Sequence, residues 1–165
     1  MKFKFVTGKV TASDNFALDE TDIKLLSNIF EEYITENKIL PSGVDAVQFV
    51  LSIVTEKEIA RINKRFRHIS KPTDVLSFPL WENSSWESAP ELWSELPLGD
   101  IFICPSQVAK YAADNSVTVR QETVLDLCHG FLHLLGHDHI DKAQKEVMWR
   151  EQDNLLTRFF ENNEK

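Results

Sequence analysis

The chain has 165 residues, 42% of them hydrophobic and 27% charged, which supplies the core of one ordinary domain and argues against intrinsic disorder. Its 18 basic and 26 acidic residues leave a net charge of −8, a balance that argues against coating nucleic acid or an anionic membrane through global charge. Two cysteines without a CxxC pair, an N-terminus without a continuous apolar stretch, and no apolar run of about 18 residues fit a soluble, cytoplasmic protein with no membrane partner.

Alternating residues over Lys2 to Val10 predict a first strand, and apolar residues Ile23, Leu26, Ile29, Phe30 and Ile34 predict a helix within Asp19 to Ile39. Pro41-Ser42-Gly43 breaks the pattern before a second strand over Val44 to Val54. Thr55 and Glu58 have the spacing of a capping box, so a helix is expected from there to about Phe66. A short strand, Val75 to Phe78, ends at Pro79. Residues 80–98 read as a flap loop bearing Trp81, Trp86 and Trp93 among four glutamates, and Gly99 to Cys104 as the next strand. The flap is expected to pack its tryptophans near a cleft mouth. Stacking of bases on them is the second reading, disfavoured by the carboxylates. Helices follow over Ser106 to Ala113, Thr118 to Leu135 and Asp141 to about Phe160, the last burying Val147, Met148, Leu155, Phe159 and Phe160. The expected fold is α+β, a single domain over 1–165 with an about four-stranded mixed sheet, about five helices and a zincin-like metal-bearing helix.

Five histidines in 165 residues would place about one-third of one in an 11-residue window, yet residues 129–139 hold four. On a helix His129 and His133 are one turn apart on one face and offer two nitrogens to a single ion. His137, if the helix continued, would stand about 12 Å from His129 along the axis, too far to share that ion. Gly136 suits the left-handed position that ends a helix, which reverses the chain and returns His139 to the metal. The expected ligands are therefore His129, His133 and His139, with His137 beside the site. Three neutral histidines leave a position open for water, which favours a catalytic ion such as one Zn²⁺ over a structural one. Gly130 stands where the HExxH motif of zinc peptidases has its glutamate, so peptide hydrolysis loses ground to chemistry on a phosphodiester.

That chemistry needs positive charge beside the metal. Lys57, Arg61, Lys64, Arg65, Arg67 and Lys71 stand against a single acid, Glu58, over residues 57–71, a local net of +5; the other 150 residues carry 12 basic and 25 acidic groups. Such polarity is compatible with a polyanion at one surface and equally with a solvated helix face. Basic helix and exit strand together span 55–79, and Arg61, Lys64, Arg65 and Lys71 are the candidate RNA-binding residues.

The run His129-Gly130-x-Leu132-His133-Leu134-x-Gly136-x-Asp138-His139, preceded by Arg67, by Pro72-Thr73-Asp74-Val75-Leu76-Ser77-Phe78-Pro79 and by Gly99-Asp100-Ile101, resembles the YbeY family of bacterial metallo-endoribonucleases. The match runs from Asn63 to Leu156; residues 1–54 match in pattern only. The resemblance implies zinc on His129, His133 and His139, and a single-strand-specific endoribonuclease that matures the 3′ end of the small-subunit 16S ribosomal RNA and acts in ribosome quality control. Its partners would be single-stranded RNA, the rRNA precursor and the small ribosomal subunit, and no DNA partner is expected. Arg67 matches the family's cleft arginine, and its guanidinium suits a phosphate. Position 137 is often Tyr in the family and is His here. Glu122 and Asp126, on the helical face of His129, either orient ligand N–H groups or are solvated charges. Asp138 either supports a ligand or caps the turn after Gly136. Cys128 reads as a small buried residue. The alternatives to the nuclease are a metallopeptidase-like hydrolase and a non-catalytic, metal-stabilised factor binding RNA or the ribosome.

Overall fold

In a computed structural model, which describes residues 2–10, 16–40, 43–81 and 94–162, the strands are β1 (Lys2–Val10), β2 (Ala46–Ile53), β3 (Val75–Pro79) and β4 (Glu95–Ile103). They form one mixed sheet in the order β1-β2-β4-β3. β1, β2 and β4 run parallel, and β3 pairs antiparallel with β4. The helices are α1 (Glu20–Glu36), α2 (Glu56–Arg67), α3 (Pro105–Asn115), α4 (Val119–Leu134) and α5 (Lys142–Asn162), so the α+β expectation holds.

Side-chain alternation sends Phe3, Val47, Phe49, Leu51, Ile101 and Ile103 into the main core, where α1, α4 and α5 supply Phe30, Phe131 and Phe159. The Phe30 and Phe131 rings stack at 3.9 Å, tying α1 to α4. Beneath the opposite face of the sheet, α2 packs Ile59 with Val54, Leu76 and Cys104 in a smaller cluster. A second tie between α1 and α4 is ionic: Arg120 donates from Nη2 to Oδ1 of Asp22 at 2.6 Å and from Nε to Oδ2 at 3.1 Å.

β4 departs from the sequence expectation. It begins at Glu95 rather than Gly99, taking residues 95–98 out of the expected loop. Pro97 and Gly99 disguise it, but the pairing with β2 continues through them by a bulge: Pro97 opposes Gln48, Gly99 opposes Phe49, and Leu98 is passed over. The bulge changes the phase of the strand, so that Leu96 and Leu98 point inward before it, and Ile101 and Ile103 after it. Gly99 has φ +143°, and a Cβ there would collide with the Phe78 carbonyl oxygen. Within the flap, Trp81 is described: it packs against the core and donates its indole N–H to the Pro97 carbonyl at 2.7 Å. Trp86 and Trp93 lie outside the described residues. Val147, expected on the buried face of α5, is 39% exposed, and Phe160 is half-buried, because α5 rests on α1 and α4 through the narrower stripe Met148, Gln152, Leu155 and Phe159.

Candidate metal centre

α4 carries the centre across β3. Its start is fixed by a capping box in which Thr118 Oγ1 accepts from the Gln121 N–H and the Gln121 side chain accepts from the Thr118 N–H. Gly130 lets the helix lie close to the sheet, since a Cβ there would stand 3.0 Å from Ile101 Cδ1. At the far end the His137 N–H reaches the Leu132 carbonyl and the Gly136 N–H the His133 carbonyl, each at 3.0 Å, with Gly136 at φ +88°. This is the Schellman closure that the glycine foretold.

Beyond the turn the chain doubles back, and ligand atoms of His129, His133 and His139 all lie within 4.8 Å of one another. Their ring centroids are separated by 4.6, 5.1 and 5.6 Å. The polar environment sets which nitrogen each helical histidine offers. His129 Nδ1 donates to Gln152 Oε1 at 3.0 Å, and His133 Nδ1 donates to the His137 carbonyl at 2.9 Å. Both acceptors are oxygens, so each neutral ring turns its Nε2 lone pair inward. The two Nε2 atoms are 3.1 Å apart. Two lone pairs at that distance repel unless a cation stands between them, and tetrahedral Zn–N bonds of 2.0–2.1 Å place two donors about 3.3 Å apart. The residues present therefore fit zinc. Burial first, and then the neighbouring His129 and His139, push the His133 pKa down to about 4. Burial also lowers that of His129. Neutral rings competent for a metal result.

His137 stays out of the triplet: its Nε2 is 3.4 Å from the Tyr33 hydroxyl, and its carbonyl holds His133. Asp138 accepts the His139 N–H at 2.7 Å, so it shapes the turn that presents His139. Cys128 is buried and burial raises its thiol pKa, which makes it an inert core residue.

Glu122 and Asp126 do not bond to the histidines. Gln152, reaching from α5, occupies the place expected of them, and sequence spacing gave no signal for it because it lies 23 residues beyond His129. The two acids are also not solvated: they are 6% and 3% exposed. With Asp74 from the entry to β3 they form a carboxylate group whose oxygens lie within 4.8 Å of one another.

Two adjoining cavities, of about 400 and 360 Å³, meet at the histidines and share Arg67 and Ser77. The first extends under Pro79, Trp81 and Gly136; the second passes Asp74, Glu122, Asp126, Trp149 and Gln152. Trp149, 42% exposed, is a further cleft aromatic that its helical position in the sequence did not single out. Arg67 arrives from the last turn of α2, where His68 in the left-handed conformation ends the helix and buried Asn63 donates to the Lys71 carbonyl at 2.8 Å. Among the described residues Arg67 makes no ion pair, so its charge is available to a ligand. Arg61, Lys64, Arg65 and Lys71 are exposed and do not line either cavity.

Fold and cluster together define an α+β protein with a metal-competent histidine triplet presented by one helix and the turn that follows it. A family model described as endoribonuclease YbeY matches residues 10–160. The endoribonuclease YbeY of Exiguobacterium sibiricum is 36% identical over 144 residues, 86% of this chain and 89% of the relative. That of Desulfitobacterium hafniense is 31% identical over 141 residues, 86% of this chain and 90% of the relative. A Thermotoga maritima protein solved in solution superposes with a TM-score of 0.56 at 27% identity, over 97% of this chain and 90% of that one. The chain belongs to the YbeY family of endoribonucleases. Among the described residues no helix is long and apolar enough to cross a membrane.

Proposed function

We propose that the protein is a zinc-dependent, single-strand-specific endoribonuclease of the cytoplasm that matures the 3′ end of small-subunit ribosomal RNA and serves ribosome quality control. The observation that carries this reading is the convergence of three histidine donors and Arg67, which makes no ion pair among the described residues, on a single cleft. His129, His133 and His139 would hold the zinc, which supplies Lewis acidity and lowers the pKa of water. Gln152 and the His137 carbonyl keep two of the rings in the required tautomer. Arg67, with its forked donors, binds a phosphate of the RNA and stabilises the charge that develops on its oxygens. Trp81 and Trp149 on the cleft walls exclude water and limit the width of the strand that enters. The basic residues Arg61, Lys64, Arg65 and Lys71 lie outside the cavities, where they would steer RNA rather than touch the reacting phosphate.

The peptidase alternative is disfavoured by geometry as well as by motif. Position 130 faces Ile101 across the helix–sheet contact, so even a glutamate introduced there would point into the core and away from the histidines. The test is cleavage of a defined single-stranded RNA and of its duplex by the zinc-loaded protein, with His133→Ala and Arg67→Ala compared after nuclease-free purification. Cleavage of the single strand alone, lost in His133→Ala and reduced 10²–10³-fold in Arg67→Ala, is expected. Undiminished cleavage in both variants would remove the assignment. Binding of RNA without cleavage by the wild type would favour the non-catalytic factor.

A further inference from the structure

The carboxylate group behind the histidines plays no part in holding them, yet it is built at some cost. Asp126 is 3% exposed, and its Oδ2 is a fully buried oxygen with no hydrogen-bond partner among the described residues. It lines the same 360 Å³ cavity as Asp74 and Glu122. Among the described residues the Glu122 carboxylate has one long hydrogen-bond contact, from Asn115 Nδ2 at 3.4 Å. Asp74 is held from behind: its Oδ1 accepts from Thr73 Oγ1 and from the Val75 N–H, both at 2.8 Å. Three acids from β3's entry and from two successive turns of α4 thus come together, and among the described residues Arg67 forms no ion pair with them.

An orphaned buried carboxylate oxygen costs free energy unless a proton or a cation meets it. The donor set is all oxygen, it mixes buried side chains with a half-open one, and it opens onto the 360 Å³ cavity. Hard divalent cations that keep part of their hydration shell, such as Mg²⁺ and Mn²⁺, match that description, whereas zinc favours the nitrogen triplet next door. We propose that Asp74, Glu122 and Asp126 form a second cation site, separate from the three histidines, that takes one hard divalent ion. Binding releases to solvent whatever proton the cluster holds, so affinity increases with pH. This site stands apart from the RNA-cleaving reading, because occupancy is measured without RNA.

The experiment saturates the full-length protein with zinc and then titrates Mn²⁺, following free Mn²⁺ by electron paramagnetic resonance at pH 6.5 and 8. One Mn²⁺ per chain is expected, bound more tightly at pH 8. Asp126→Asn and Glu122→Gln should each weaken it at least tenfold while retaining zinc. His133→Ala should lose zinc and still bind Mn²⁺. Should Asp126→Asn fail to fold, Glu122→Gln and Asp74→Asn carry the comparison. Absence of bound Mn²⁺ in the wild type at millimolar metal would overturn the proposal. So would equal affinity in the carboxylate variants, or loss of Mn²⁺ in His133→Ala alone.

Discussion

Removing the Gln152 side chain tests the centre without touching a ligand. Gln152 is 5% exposed and its Oε1 receives the His129 N–H at 3.0 Å. In Gln152→Ala that N–H loses its acceptor, and either ring nitrogen can then carry the proton. The tautomer with Nε2 protonated cannot offer that inward nitrogen to a metal. Loss of such a supporting contact lowers metal affinity by about 10–100-fold, or roughly 1.4–2.8 kcal/mol at 1.4 kcal/mol per decade. Leaving the buried N–H unpaired costs the metal-free protein about 1–3 kcal/mol as well, so unfolding curves of the apo form must accompany the affinity measurement. Gln152→Glu restores an acceptor, adds a charge that favours the ring's donor role, and should bind zinc at least as tightly as the wild type. The assay is competition for zinc with a chromophoric chelator at pH 7.5. Wild-type affinity in Gln152→Ala, or equal weakening in Ala and Glu variants, would show that this contact does not set the tautomer.

Replacing His139 should abolish tight zinc binding, whereas His137→Ala should retain a stoichiometric ion, since the His137 ring lies against Tyr33 and only its backbone carbonyl serves the centre; metal analysis after dialysis distinguishes them. Gly136→Ala meets no atom within 4 Å but forces a side chain to φ +88°, so it should destabilise by about 1–2 kcal/mol and weaken zinc through the His139 turn, read by thermal unfolding with and without metal. The Asp126 carboxyl is raised to about 9 by burial, with Asp74 and Glu122 adding to it, against about 3.9 unfolded. The folded metal-free chain therefore binds more protons, and its stability declines with rising pH by up to about 1.4 kcal/mol per unit from this group. His133, lowered to about 4 when folded, opposes that trend only below about pH 6.5. Between pH 6.5 and 9 the apo wild type should lose stability, and Asp126→Asn should flatten the slope in denaturant titrations.

What the sequence disclosed and what it withheld divide by the distance over which the relevant forces act. The 129/133 spacing, the stop at Gly136 and the return of His139 are consequences of helix geometry within eleven residues, and all three are present. The Thr55–Glu58 capping box is equally local. Gln152 is not legible from spacing, because its role depends on how α5 lies on α4. The burial of Glu122 and Asp126 is hidden in the same way, since spacing leaves both ligand support and solvation open and only the packing of α4 against β3 decides between them and burial. The start of β4 was concealed by two residues that usually break strands, Pro97 and Gly99; here a bulge accommodates both. Arg67 sits at a helix C-terminus, where local capping presents it and the family motif named it, but only the tertiary fold separates it from the four neighbouring basic residues that stay outside the cavities.

The global charge of −8 thereby acquires a finer structure than a basic patch on an acidic body. Arg67 alone among the six basic residues of 57–71 lines the cleft, and Asp74, Glu122 and Asp126 line one of its two cavities with it. Fully ionised, those three acids would outweigh that arginine and repel a phosphate from the place where it is needed. Burial counters this by keeping Asp126 protonated, and a divalent cation would counter it more strongly by cancelling two of the three carboxylate charges. With the proposed cation site, the acidic wall would oppose phosphate entry and a bound proton or metal would relax that opposition. A chain that carries a net negative charge can in this way confine a polyanion to one opening, with the basic helix outside for attraction and the arginine inside for orientation.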